Sequence, residues 1–276
     1  MDHSLGVYKS SLSASRIRRN VLISGVVFLG AFAVALVPEG FDRPLIRLIN
    51  ILTNRSALFD HLVAAASTHF TFSGAVLMAL IWHCWFDNKD LESRARIMVG
   101  TLGSFGAGVI SRFLQYTLPT QPRPYYDPAL SIQVPPGLEA PGNTWNSFPS
   151  DHVAVFAGLA VVIYIARSRF AIFAMVWTIV VESSRTYMGA HYPSDLIGGA
   201  ALAAIVVWAA QASRPISWGE KAMRWEQSSP SLFYMSAFFL SYQIATLFAD
   251  IRSTFGSLND IWRIIVPLFS AHGQLS

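Results

Sequence analysis

Residues 148–166 read FPSDHVAVFAGLAVVIYIA, and this stretch decides the fold. It opens on a polar cluster, Pro149-Ser150-Asp151-His152, and continues as a long apolar run, the two together close to the length a membrane span needs, about 20 residues. The rest of the chain agrees with a membrane setting. Of its 276 residues 53% are hydrophobic and only 13% are charged, about half the share usual in a soluble domain. Mean hydropathy is +0.43. The expected fold is all-α: a polytopic membrane helical bundle. The net charge of +4 would suggest nucleic acid in a soluble protein. Here the basic residues sit in short gaps between apolar runs, so the bilayer is the expected partner and nucleic acid is not. The single cysteine, Cys84, lies in an apolar run and cannot form an intramolecular disulfide.

Working outward, apolar runs predict spans over 21–37, 70–86, 97–118, 149–166, 170–187, 195–210 and 232–249. The first run lacks a small-residue cleavage pattern and reads as a retained span. Between the first two runs, FDRPLIRLINILTNRSALFDHLVAAAS carries apolar residues at helical spacing with Arg43, Arg47 and Arg55 among them, which predicts one or two interfacial helices. The Gly-rich VGTLGSFGAGVI of the third span suits close helix packing in lipid. Residues 115–147 are rich in proline and aromatics and read as neither span nor regular helix. The tail sequence DIWRIIVPLF is too short to span and reads as interfacial. The organisation expected is a cytoplasmic tail (1–20), two spans with an interfacial helix (21–96), a catalytic core (97–212) with its outer-face loop (115–147), and a C-terminal span and tail (213–276).

Lys and Arg in the short loops set the orientation. With the N-terminus inside, Lys9, Arg16, Arg18, Arg19, Lys89, Arg94, Arg96, Arg167, Arg169, Arg214, Lys221 and Arg224 all fall inside. Three polar sets then share the outer face: QPRP with Arg123, PSDH with Ser150 and His152, and SSRTYMGAHYPSD with Ser184, Arg185, His191 and Asp195. Ionisable residues gathered at span ends point to function. Two arginines offer bidentate donors to phosphoryl oxygens. A helix start at Pro149-Ser150 offers free N–H groups and a hydroxyl to an anion. His191 can attack phosphorus, Asp195 four residues on can orient the imidazole if the stretch is helical, and His152 can move the proton. The layout calls for no metal and no cofactor. Taken singly, each feature has a plain reading as a helix cap or a snorkelling arginine; together on one face they point to phosphate chemistry.

SRTYMGAHYPSD fits S-R-x5-H-x3-D, the third motif of the type 2 phosphatidic acid phosphatase superfamily, and the chain resembles that family over 97–210. PSDH is similar to its second motif, P-S-G-H, and Arg123-Pro124 to the end of its first, K-x6-R-P. The resemblance implies a six-helix core, an active site at the outer membrane face and metal-independent cleavage of a phosphomonoester or pyrophosphate. It implies His191 as nucleophile, Asp195 as its partner, His152 as acid and base, and Arg123, Ser150 and Arg185 as the phosphate cradle. Two positions depart from the pattern. Tyr116, beside Gln115, stands where the family has lysine, and Asp151 replaces glycine. Asp151 reads either as a tuning charge beside His152 or as a first-turn acid favoured by the helix dipole. Glu182 is expected to pair with Arg185.

The function expected is hydrolysis of an amphiphilic phosphate in a bacterial inner membrane, with the site facing the periplasm. Polyprenyl phosphates and pyrophosphates, phosphatidic-type lipids and lipid A are the candidate substrates. The alternatives are transfer of the phospho-group to an envelope lipid or glycan acceptor, and a non-hydrolytic lipid-binding or transport scaffold.

Overall fold

A computed structural model of the chain describes residues 12–119, 122–135, 146–251 and 254. The described residues form helices α1 (Ala14–Leu36), α2 (Asp42–Asn50), α3 (Ala57–Thr68), α4 (Val76–Asp87), α5 (Leu91–Thr117), α6 (Asp151–Ile165), α7 (Ala171–Tyr187), α8 (Pro193–Ala210), α9 (Ser213–Ser228) and α10 (Pro230–Ala245). A π-helical turn, Thr71–Ala75, leads into α4, and a short 3-10 helix, Pro124–Tyr126, lies in the loop after α5. The fold is the all-α membrane bundle expected. Among the described residues α1, α5 and α8 are each long and apolar enough to cross a bilayer, and α3 and the segment Thr71–Asp87, bent by 65° at the break between them, meet that test only when taken together. The interfacial tail segment lies outside the described residues.

Several boundaries differ from the sequence reading, for local reasons. α1 starts at Ala14 rather than 21, because Ser13 caps it and its basic first turn has partners. The Arg16 guanidinium donates to the Tyr164 hydroxyl and lies 5.9 Å from the Trp208 ring centre. α5 starts at Leu91 rather than 97, because Asp90 accepts from the Ser93 N–H at 2.8 Å. The last run ends at Ala245 rather than 249, because Leu247 and Phe248 turn the chain with positive φ. The segment 213–228, grouped with the C-terminal span and tail and given no element of its own from the sequence, is the helix α9. Ile216 and Met223 bury its inner face, Ile216 against Ala95 and Val99 of α5, while Glu226 pairs with Arg94 at 3.1 Å.

α6 is the centre of the bundle. Ten of its 15 residues are buried, and it packs against α4, α5, α7 and α8. α1 lies along the other side of α8. At 1.5 Å per residue α6 spans only about 22 Å, less than the roughly 30 Å of a hydrocarbon core. The chain just before it is therefore irregular at a depth where exposed backbone would be costly, and it is tolerated because protein surrounds it. Ser147, Phe148 and Ser150 are all fully buried. Phe148 is held between Phe28 and Phe32 of α1, with ring centres 5.5 and 5.6 Å away. On α8 a Cβ at Gly198 would lie 2.4 Å from the Phe148 ring, and one at Gly199 would lie 2.5 Å from the Ser150 carbonyl oxygen. The two glycines let α8 close onto this loop.

Candidate active site

The residues singled out from the sequence come from the ends of α5, α6, α7 and α8 and the loops 122–135 and 146–150, all at one end of the bundle. The opposite end holds Arg16, Tyr164 and Trp208.

His191 lies between α7 and α8 and is fully buried. Its Nδ1 is 3.0 Å from the Ser147 carbonyl oxygen and 3.4 Å from Asp195 Oδ2. A carbonyl can only accept, so Nδ1 carries the proton and Nε2 keeps its lone pair. Arg123 Nη1 lies 3.1 Å from that Nε2 and also donates to the Ala190 carbonyl at 2.8 Å. Burial, then the positive charges of Arg123 and Arg185, push the imidazole well below its ordinary pKa and keep it neutral. The His191–Asp195 contact was expected from helical spacing, but His191 is not helical. Pro193 is the first residue of α8, and Asp195 instead closes its start, accepting the Tyr192 N–H at 2.7 Å on the same Oδ2 that faces His191.

The start of α6 lies two residues later than expected, at Asp151 rather than Pro149. Ser150, not Pro149, flanks the helix: its Oγ accepts the Val153 N–H, and its own N–H donates to the Asp195 carbonyl at 3.0 Å. Pro149 stays outside, and its carbonyl accepts from Ser111 Oγ at 2.8 Å and from Gln115 Nε2 at 2.6 Å, both on α5. Gln115 is thereby a buried strut for the loop.

Asp151 and His152 follow. One Asp151 oxygen lies 3.0 Å from His152 Nδ1, and the other pairs with Arg112 of α5. Arg112 is the residue that sequence reasoning missed; no motif marks it. The one available signal is its spacing, four residues before Tyr116, which puts both on one face of α5. Tyr116 itself is 58% exposed. Arg185 pairs with Glu182 at 3.3 Å, as expected, and reaches the Ser67 carbonyl at the end of α3 at 3.4 Å. Ser184 does not join the group; its hydroxyl bonds the Val181 carbonyl of its own helix.

Three guanidiniums, Arg112, Arg123 and Arg185, thus face one region. Arg123 registers the crowding: burial, then the other two arginines, lower its pKa against the pull of Asp151 and Asp195. Such a cluster around a neutral, oriented imidazole can hold an anion and present Nε2 to it.

A second group of residues braces the site from the side of α2. Asp42 takes the Ser194 N–H at 3.0 Å and the Ser194 hydroxyl. Asp127 takes Arg43 Nε at 2.8 Å, the Tyr192 hydroxyl at 2.7 Å and the Ala129 N–H at 2.9 Å.

Residues 94–216 match the sequence model of the PAP2 superfamily. The chain is 21% identical over 160 residues to undecaprenyl-diphosphatase BcrC of Bacillus subtilis, a match covering 58% of this chain and 77% of that protein. It is 40% identical over 63 residues to lipid A 4'-phosphatase of Bacteroides thetaiotaomicron, covering 22% of this chain and 28% of that one. It is 36% identical over 69 residues to a bacitracin transport permease protein BcrC of Bacillus licheniformis, covering 24% and 34%. The chain therefore spans about a third or less of the last two relatives. No solved structure matches.

Proposed function

We propose that this chain, whose residues 94–216 match the PAP2 superfamily, is an integral-membrane lipid phosphatase that hydrolyses a polyprenyl diphosphate through a phosphorylated His191. The observation that carries the mechanism is the tautomer of His191. Nδ1–H is held by the Ser147 carbonyl, with Asp195 at 3.4 Å, and Nε2 faces a guanidinium.

In the proposed reaction Arg123 and Arg185 take the oxygens of the terminal phosphoryl group, together with the Ser150 hydroxyl at the start of α6. Nε2 attacks phosphorus, the bond to the bridging oxygen breaks, and that oxygen leaves with a proton from His152. Asp195 supports the positive charge that His191 acquires. Water then attacks phospho-His191, giving its proton to His152, and inorganic phosphate leaves. Asp151 accepts from His152 Nδ1–H, which leaves Nε2 as the atom that gives and takes the transferred proton. The prenyl substrate is supported by the match that covers most of an undecaprenyl-diphosphatase. The arginines and lysines at the start of α1, between α4 and α5 and in α9 support placing those ends in the cytoplasm and the site on the outer face of a bacterial inner membrane.

Purified protein in detergent, given polyprenyl diphosphate, is expected to release phosphate without added metal, and His191→Ala to abolish release. Rapid acid-free quenching of labelled substrate is expected to trap label on the wild-type protein, lost at low pH as phosphohistidine is. Release that survives in His191→Ala refutes the mechanism. Label passing to a lipid or sugar acceptor rather than water assigns a phosphotransferase.

A further inference from the structure

The two departures from the family motifs, a missing cation at 116 and an extra carboxylate at 151, line one groove together with a third residue, Arg112. Asp151 pairs with Arg112, one helical turn before Tyr116 on the same face of α5. The Arg112 side chain is 29% exposed, and Asp151 is 11% exposed. The pair lines a groove of about 450 Å³ whose other walls are Tyr116, apolar residues of α5 and α6 such as Phe105, Val109 and Val155, and the turn at Leu247-Phe248. Asp151 also holds His152, and Arg112 acts electrostatically on Arg123. The groove therefore ends at a partly exposed cation that pairs with the carboxylate holding His152.

We infer that Arg112 is a substrate-binding residue: it exchanges Asp151 for the phosphate of a lipid whose chain lies in the groove between α5 and α6. The inference rests on the phosphatase reading above. The charge pattern selects the occupant. A neutral lipid would leave the Arg112–Asp151 pair intact at its head, whereas an anionic phosphate offers the guanidinium a bidentate partner of higher charge. The exchange also returns the Asp151 carboxylate to His152 alone, at the stage when that ring must carry a proton. Asp151 is then a place-holder, which keeps a guanidinium near the bilayer from standing unpaired between turnovers.

Phosphate release is measured from a long-chain polyprenyl diphosphate and from a short-chain, water-soluble phosphate ester, with KM and kcat separated. Arg112→Gln is expected to raise KM for both substrates by tenfold or more with a smaller change in kcat, and Arg112→Lys to recover most of the loss. Asp151→Asn is expected to move the two parameters apart, lowering KM as Arg112 loses its competitor and lowering kcat through His152. A pair that served stability alone would respond alike to both variants; KM within twofold of wild type for both, with a shared fall in melting temperature, overturns the inference. Val109→Trp, which fills the groove, is expected to raise KM for the long-chain substrate only. Equal effects on both substrates place the chain elsewhere and overturn the groove. The same comparison made by equilibrium binding of a polyprenyl phosphate on the His191→Ala background reads Arg112 without turnover. Should wild type release no phosphate while Arg112→Gln still weakens this binding, the hydrolytic reading fails and the binding role stands.

Discussion

The two flanks of His191 use the same residue types for different ends. On the α2 side, Asp42 and Asp127 are surrounded by donors that belong to the fold: two backbone N–H groups, a serine, a tyrosine and Arg43. On the α5–α7 side, Asp151 and Glu182 each hold an arginine that also faces the site. A carboxylate tied to N–H groups at a helix start cannot let go without leaving buried donors unpaired. One tied to a guanidinium can be replaced by a better anion. The number and kind of partners, rather than the charge, separate scaffold from machinery.

That distinction can be broken by experiment. The largest effect is expected from Arg185→Ala, which removes a donor aimed at the phosphoryl group: about 10²- to 10³-fold lower kcat, with a melting temperature near that of wild type. A melting temperature that collapses instead would move Arg185 to the scaffold. Asp42→Ala is expected to do the reverse. It strands the Ser194 N–H and should lower stability by about 1–3 kcal/mol, read by thermal unfolding in detergent, with activity per folded molecule kept within a few-fold. Glu182→Gln keeps the shape and removes the charge facing Arg185, and a loss of roughly tenfold in kcat/KM is expected, about 1.4 kcal/mol of transition-state binding. The smallest effect concerns pH. Burial alone would raise the Asp127 pKa, but Arg43, Tyr192 and the Ala129 N–H outweigh it and hold it below the ordinary carboxylate range. The folded-state value is the lower one, so its contribution is complete above about pH 4 and is lost as pH falls through the folded value. Wild type should therefore lose stability below pH 4 more steeply than Asp127→Asn; parallel curves would mean that the Arg43 pair contributes little.

The fold class was legible because apolar runs and basic gaps are properties of the one-dimensional chain. Boundaries were less so. Ser13, Asp90 and Ser150 set helix starts through single side-chain caps, and a cap shows itself only when the next three residues are seen to be helical. α9 escaped because its apolar residues are few, and their use depends on α5 lying beside them. In the site, the third motif brought Arg185, His191 and Asp195 to one region through short-range spacing, although the His191–Asp195 contact forms across a helix start rather than along a helix. Arg112 was invisible for the opposite reason. Its partner is 39 residues away, and only the packing of α5 against α6 makes Asp151 and Arg112 one feature instead of an oddity and a surface charge.

The Pro149 carbonyl, which takes hydrogen bonds from both Ser111 and Gln115, has a consequence for how such a site can drift over evolutionary time. Those two bonds pin the height of α5 against the loop before α6, using residues on either side of Arg112. The helix is thus indexed like a rack whose position is locked by one set of teeth while a neighbouring set stays free. A cation on the free set can slide by a full turn, between positions 116 and 112, without disturbing the lock. A lineage can lose the motif lysine and regain its charge elsewhere, and a search for the motif alone would score that relocation as a loss.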